Sequence, residues 1–202
     1  MKRISFVILA LAAIFVFACK QENYASNDTS VTETAASTET TGVTATNTPM
    51  ASSTATTLSS TDQDFINKAA EGGLMEVTLG QLAAAKATNS DVRDFGNRMV
   101  SDHGTANDEL TQLAADKGIT LPTQPGAPAQ KASNELSSKM GKAFDKAYMS
   151  NMVKDHEKDV ADFKKAANEV QDPDLKAWVT KTLPTLEEHL RQAKLVAAKV
   201  KG

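Results

Sequence analysis

Met99-Val100-Ser101-Asp102-His103 and Met152-Val153-Lys154-Asp155-His156 are two copies of one short pattern. An aromatic residue stands four positions before each Met, Phe95 in one copy and Tyr148 in the other, and a large apolar residue follows each His by seven, Leu110 and Phe163. Steps of three, four and seven residues share one helical face. Two helices are therefore predicted, each turning a histidine inward. The chain has only three histidines, and the third, His189, falls in the last helical segment.

Working outward, helix signals fill residues 61–202 and strand signals are absent. These roughly 140 residues are enough for one domain with a core. The first helix is predicted from Thr61 to Ala87, with capping-box patterns at Ser60/Gln63 and Thr61/Asp64. Its stripe is Phe65, Ala69, Gly72, Glu76, Leu79, Gly80 and Ala83, small enough around Glu76 for close approach of a neighbour. A turn at Asn89-Ser90 makes the second helix antiparallel. That helix runs from Asp91 to Lys117, with Gly118 as its C-terminal cap and Val92, Gly96, Met99, His103, Ala106, Leu110 and Ala114 facing in.

Pro122, Pro125, Gly126 and Pro128 rule out helix in the next stretch, and Lys131 to Lys139 is weakly helical. From Leu121 to Gly141 the connection is long enough to travel the length of a bundle of about 40 Å, which marks a crossover topology. A third long helix is predicted over Lys142–Val170, with Met149, Met152, His156, Val160, Phe163 and Ala167 inward. Asp172-Pro173-Asp174 ends it and starts the fourth. The fourth runs to about Val200, with Trp178, Thr182, Leu186, Ala193, Val196 and Val200 inward and His189 near the centre of that face. Pro184 is expected to kink it.

In an antiparallel hairpin, residues equally far from the turn lie side by side. Glu76 and His103 are level across the first hairpin, and His156 and His189 across the second. All four lie near mid-helix, so they are predicted to converge at one height. A carboxylate left unpaired in such a core is costly, and a divalent metal or a histidinium removes that cost. Three imidazoles and a carboxylate suit one divalent transition metal: Fe, Mn, Zn or Cu. The alternative is a hydrogen-bonded cluster that only fixes helix register. Asp102 and Asp155 point about 100° away from their neighbouring histidines, so they either support the ligands from behind or lie on a solvated face, and the solvated face is the preferred assignment. Asp145 is assigned to a helix start at the bundle end, and Met99, Met149 and Met152 to core filling.

The N-terminus reads as a sorting signal over residues 1–18. Lys2 and Arg3 precede an apolar run from Phe6 to Ala18, too short for the roughly 20 residues of a comfortable membrane span. The run ends Val16-Phe17-Ala18-Cys19, similar to the lipobox of bacterial lipoproteins, so Cys19, the only cysteine, is the expected lipidation site. No thiol then remains for a disulfide or a thiolate metal site. Residues 19–60 form the lipidated Cys and a tether. Nearly half of residues 20–60 are Ser or Thr, so the segment is read as disordered, with a span of roughly 35 Å. The net charge of −3 comes from interspersed signs with no basic stripe, so nucleic acid is not an expected partner. The expected setting is the bacterial envelope, with the membrane engaged through the lipid anchor. Lys20, where an Asp would retain a lipoprotein in the inner membrane, favours the outer membrane by analogy.

Gly73-Leu74-Met75-Glu76, the two Met-Val-x-Asp-His motifs, Phe144-Asp145 followed by Tyr148, and Leu183-Pro184 followed by His189-Leu190 together resemble a bacterial envelope family known as domain of unknown function 4142. The resemblance covers about residues 61–200. It implies an all-α, ferritin-like four-helix bundle with a long crossover between the second and third long helices, often exported and sometimes lipid-anchored. It implies no established activity. No Glu-x-x-His occurs at the three histidines, which follow Val100, Val153 and Leu186 by three, so di-iron ferroxidase chemistry does not carry over.

Two functions are therefore expected from different classes. One is a metal-binding envelope lipoprotein holding one ion through Glu76, His103, His156 and His189, for metal homeostasis or oxidative-stress defence. The other is a non-enzymatic envelope module that binds a protein or the cell wall, its polar cluster purely structural. A hydrolase ranks below both, because no Ser or Cys nucleophile shares the inward stripes.

Overall fold

The computed structural model describes residues 58–202, and the signal segment, Cys19 and the tether up to residue 57 lie outside the described residues. The described part is all-α: α1 Ser60–Lys86, α2 Ser90–Asp116, α3 Ala127–Ser137, α4 Gly141–Glu169 and α5 Pro173–Lys201. None of these helices is long and apolar enough to cross a membrane.

The helix ends follow from local chemistry. Ser59 caps α1 by accepting from the Asp62 N–H at 3.1 Å, one residue before the expected boxes. Leu58 is already buried, so these two residues belong to the fold. Asn89 caps α2, and Asp172 caps α5 by accepting from the Asp174 and Leu175 N–H groups. At the end of α2, Gly118 takes φ +72°, while the Gly118 N–H bonds the Ala115 carbonyl and the Ile119 N–H that of Ala114. That pair of bonds closes the helix and needs the left-handed conformation glycine adopts freely. The short helix α3 corrects one expectation. Pro128 lies in its first turn, where the missing N–H costs nothing, so helix begins at Ala127 rather than near Lys131. The last helix continues through Pro184.

Two buried carboxylates set the arrangement of the long helices. Asp145, close to the start of α4, accepts from the Thr88 N–H, the Thr88 hydroxyl and the Asn89 N–H, so α4 starts beside the α1–α2 turn. Asp62, in the first turn of α1, accepts from the Gln171 and Asp172 N–H groups, so α1 starts beside the α4–α5 turn. Lys117, just past α2, bonds Asp172 at 2.7 Å and Asp174 at 2.6 Å, which places the end of α2 at the start of α5. The four long helices thus form a ring in the order α1, α2, α5, α4, with every neighbour antiparallel. Because α2 and α4 run the same way, the connection containing α3 must return along the whole bundle. The expected crossover is present, with α3 packed against α1 and α4.

The inward faces differ from the expected stripes by single residues. In the first half of α1 the buried set is Ile66, Ala70 and Gly73, not Phe65, Ala69 and Gly72. Gly73 takes the inward place because Asn107 lies against it: a Cβ there would come within 2.0 Å of the Asn107 Oδ1. Phe65 packs at the rim, edge-on to Phe163 at 5.2 Å. Likewise Ala166 replaces Ala167 in α4, and Val179 and Ala197 replace Thr182, Val196 and Val200 in α5, while Ala106 of α2 is only half-buried. Met99, Met149 and Met152 are fully buried core residues, as expected.

The apolar interior is split in two. One part includes Ile66, Ala70, Leu110, Val160 and Leu186, and the other Leu79, Met99, Met152 and Ala193. On each long helix the polar residue falls between them: Glu76 between Ala70 and Leu79, His103 between Met99 and Leu110, His156 between Met152 and Val160, His189 between Leu186 and Ala193. A single polar layer therefore crosses the bundle at mid-height.

Candidate metal centre

Glu76, His103, His156 and His189 are all brought together, and none is more than 6% exposed. The His103 Nδ1 lies 2.9 Å from Glu76 Oε2, and the His156 Nε2 3.2 Å from Oε1, a contact not aligned as a hydrogen bond. The rings of His103, His156 and His189 stand 5.2–5.7 Å apart. One ring nitrogen from each lies within 4.8 Å of the other two.

Each histidine uses its two nitrogens differently. On the His103 ring, Nδ1 donates to the Glu76 carboxylate. His156 Nδ1 donates to the Met152 carbonyl at 2.9 Å. His189 Nε2 donates to Asp102 Oδ2 at 2.8 Å. The remaining nitrogens, Nε2 of His103, Nε2 of His156 and Nδ1 of His189, are buried without a partner, as is Glu76 Oε1. Buried polar atoms are nearly always paired. A ring whose one nitrogen is fixed by a carboxylate or a carbonyl, leaving the other free, is the usual state of a metal-ligating histidine. The donor set therefore fits a borderline transition ion.

Asp102 corrects the solvated-face assignment. It is half-buried, held by Arg98 Nε at 3.1 Å, and orients His189 rather than its neighbour His103. Nothing in the α2 sequence signals this, because the partner comes from α5 and depends on how the two hairpins dock. Asp155, its counterpart in the repeat, is half-buried and bonds none of the histidines. Asp159, one turn after His156, was not singled out by the stripe pattern, yet it lines a small cavity with Glu76 and His103. Phe95 lies edge-on to both His156 and His189, at 6.2 and 6.5 Å, and shields that side of the layer.

Electrostatics sort the four groups. Burial would raise the Glu76 carboxyl, but His103, His156 and His189 outweigh it and hold it at about 2. Burial opposes charge on His103 too, yet the Glu76 carboxylate raises it above the ordinary imidazole value. Burial pushes His156 down and His189 down to about 4. In the metal-free layer His103, beside Glu76, is therefore the imidazole most readily protonated, while His156 and His189 are held toward the neutral form with free lone pairs.

A pH dependence follows for the metal-free protein. An unfolded histidine titrates near 6.5. His189 resists protonation to about 4 when folded, so between these values the unfolded chain binds the extra proton. Its contribution is present above pH 6.5 and is lost as pH falls through that window, on the order of 3 kcal/mol in all. Urea unfolding of the wild type and of His189→Gln across pH 4–7 isolates it, because Asp155 and Asp159, whose carboxyls burial pushes up to about 6 and about 8, act in the opposite sense in both proteins. The wild type is expected to lose about 3 kcal/mol relative to the variant between pH 6.5 and 4. A stability difference that does not change with pH would contradict the burial argument.

These features define a class: an all-α helical domain with a histidine triad and a glutamate buried in one layer. The chain belongs to the family described as Domain of unknown function (DUF4142), whose model matches residues 47–196. No match was found among curated proteins or among solved structures.

Proposed function

We propose that this domain binds one divalent transition-metal ion, Fe, Mn, Zn or Cu, in its mid-height polar layer. The residues that would hold it are His103, His156 and His189, with Glu76 beside them. The observation that carries this is the shared pattern of the three rings, each fixed through one nitrogen and unpartnered at the other. Glu76 stands beside the three-ring group rather than within it: its Oε2 holds the His103 ring and its Oε1 lies 3.2 Å from His156 Nε2, so the carboxylate would balance the charge of an ion held by the three rings. A bound ion would supply Lewis acidity, or a redox centre if it is Fe, Mn or Cu. The protein's share is to exclude water, to orient His189 through Asp102 and His156 through the Met152 carbonyl, and to give up the His103 proton as the ion arrives.

The crossover topology and the inward His/Glu layer support a ferritin-like bundle, and the setting we propose is a lipid-anchored envelope protein tethered through Cys19. Its role there is metal homeostasis or defence against oxidative stress. The rival reading, a structural cluster on a partner-binding module, is supported by the Glu76–His103 hydrogen bond but leaves three ring nitrogens without a purpose. Calorimetric titration of the metal-free chain with each of the four ions decides between them. One site per chain with proton release is expected. No heat of binding with any ion would favour the structural reading.

A further inference from the structure

The histidine layer is closed off by four helices, so an ion that reaches it must cross the helix wall. Two adjoining hollows mark a place. An outer groove of about 300 Å³ runs between α1 and α4 and carries Asp64, Asp159, Asp162 and Glu169 beside Lys68, Lys158 and Lys165, with Asp162 paired to Lys158. Behind it lies an inner cavity of about 30 Å³ whose wall comes from all four long helices and includes Glu76 and His103. Lys68, Ala69, Asp159 and Phe163 line both hollows, so groove and cavity adjoin at these side chains. The inner cavity exceeds the roughly 10–15 Å³ that one water requires. It is bordered by two side chains more than nine-tenths buried, Glu76 and His103, each with an unpartnered polar atom.

We infer that this is the loading route of the metal centre, with Asp159 receiving a divalent cation from the groove and passing it through the inner cavity to Glu76 and His103. The inference rests on the metal-binding reading above. A carboxylate oxygen can replace waters that a divalent ion sheds as it leaves solvent. Asp159 stands at the junction, half-buried, and lines both hollows. The groove on the opposite side of the bundle reaches Asp102, but that carboxylate is already engaged by His189 and Arg98.

Rapid mixing of the metal-free full-length protein with Zn²⁺, followed by a chromophoric zinc indicator, tests the route. Two variants are compared with the wild type. Asp159→Asn removes the receiving carboxylate. Gly72→Leu adds bulk in the wall of the inner cavity, where a Cβ meets nothing within 4 Å and no backbone must shift. Loading is expected to slow at least tenfold in both, with Gly72→Leu still reaching the wild-type final occupancy and Asp159→Glu restoring most of the rate. Circular dichroism of each variant controls for folding. Wild-type rates in both variants would overturn the route and leave the metal centre standing. Loss of equilibrium binding in Asp159→Asn would also overturn it, because Asp159 would then hold the ion rather than pass it on. No uptake by the wild type would overturn both the route and the metal-binding reading.

Discussion

Replacing His103 and His156 together with glutamine is expected to lower metal affinity more than a hundredfold while the far-ultraviolet spectrum stays helical. Loss of a single outer partner of a metal-bound histidine already costs 10–100-fold, and this variant removes two of the three imidazoles. Glutamine is preferred to alanine for a reason visible in the layer. The Glu76 carboxylate is 2% exposed and draws its compensation from the His103 ring that donates to it. Alanine at both positions would strand that charge, at a cost of roughly 3–5 kcal/mol, and confuse unfolding with loss of binding. A glutamine amide still donates to the carboxylate, so the helices should survive while the imidazole ligands do not. Equilibrium dialysis against Zn²⁺ measures the effect, and unchanged affinity would remove these two rings from the site.

The second large effect is predicted one turn away from the layer, where α1 and α2 touch backbone to backbone. A Cβ on Gly80 would come within 2.7 Å of the Gly96 carbonyl oxygen, and one on Gly96 within 2.9 Å of the Gly80 carbonyl oxygen. Neither neighbour is a flexible side chain, so the helices must separate. Gly80→Ala is therefore expected to destabilise by about 2–3 kcal/mol, despite the better helix propensity of alanine. The matched control is Gly72→Ala, eight residues earlier on the same helix, where the space is open. That substitution should stabilise by roughly 0.5–1 kcal/mol, since only propensity changes. Urea denaturation of the two variants gives opposite signs if the close approach is real. The Gly80 variant should also bind metal more weakly, because separating α1 from α2 draws Glu76 away from His103.

That these side chains would meet could be read from the sequence, because two simple rules act on them. Helical spacing turned Glu76, His103, His156 and His189 inward, and equal distance from two short turns set each pair level. The proline-rich stretch after Gly118 signalled a crossover through its length alone. What could not be read depends on how the hairpins dock. Asp102 points away from its own helix's histidine and meets His189 of α5, a neighbour relation fixed by contacts among Lys117, Asp172 and Asp174 at one end and Asp145 with Thr88 at the other. The one-residue offset in α1 had a similar cause. Helical spacing places Phe65 on the stripe, but the buried face one residue further round carries Ile66, Ala70 and Gly73, and Asn107 packs against Gly73. Pro128 misled for a local reason: a proline that excludes helix interior is acceptable in a first turn.

The proposed metal-binding role depends on one property, an ion held by the buried histidine layer. Its most direct test is the metal content of the full chain, purified without a metal-binding affinity tag and analysed by mass spectrometry. Close to one equivalent of Fe, Mn, Zn or Cu per chain is expected, removable by a strong chelator and restored by adding the ion back. Absence of these metals both in the isolated protein and after reconstitution would contradict that role, and would leave the three histidines as a structural cluster.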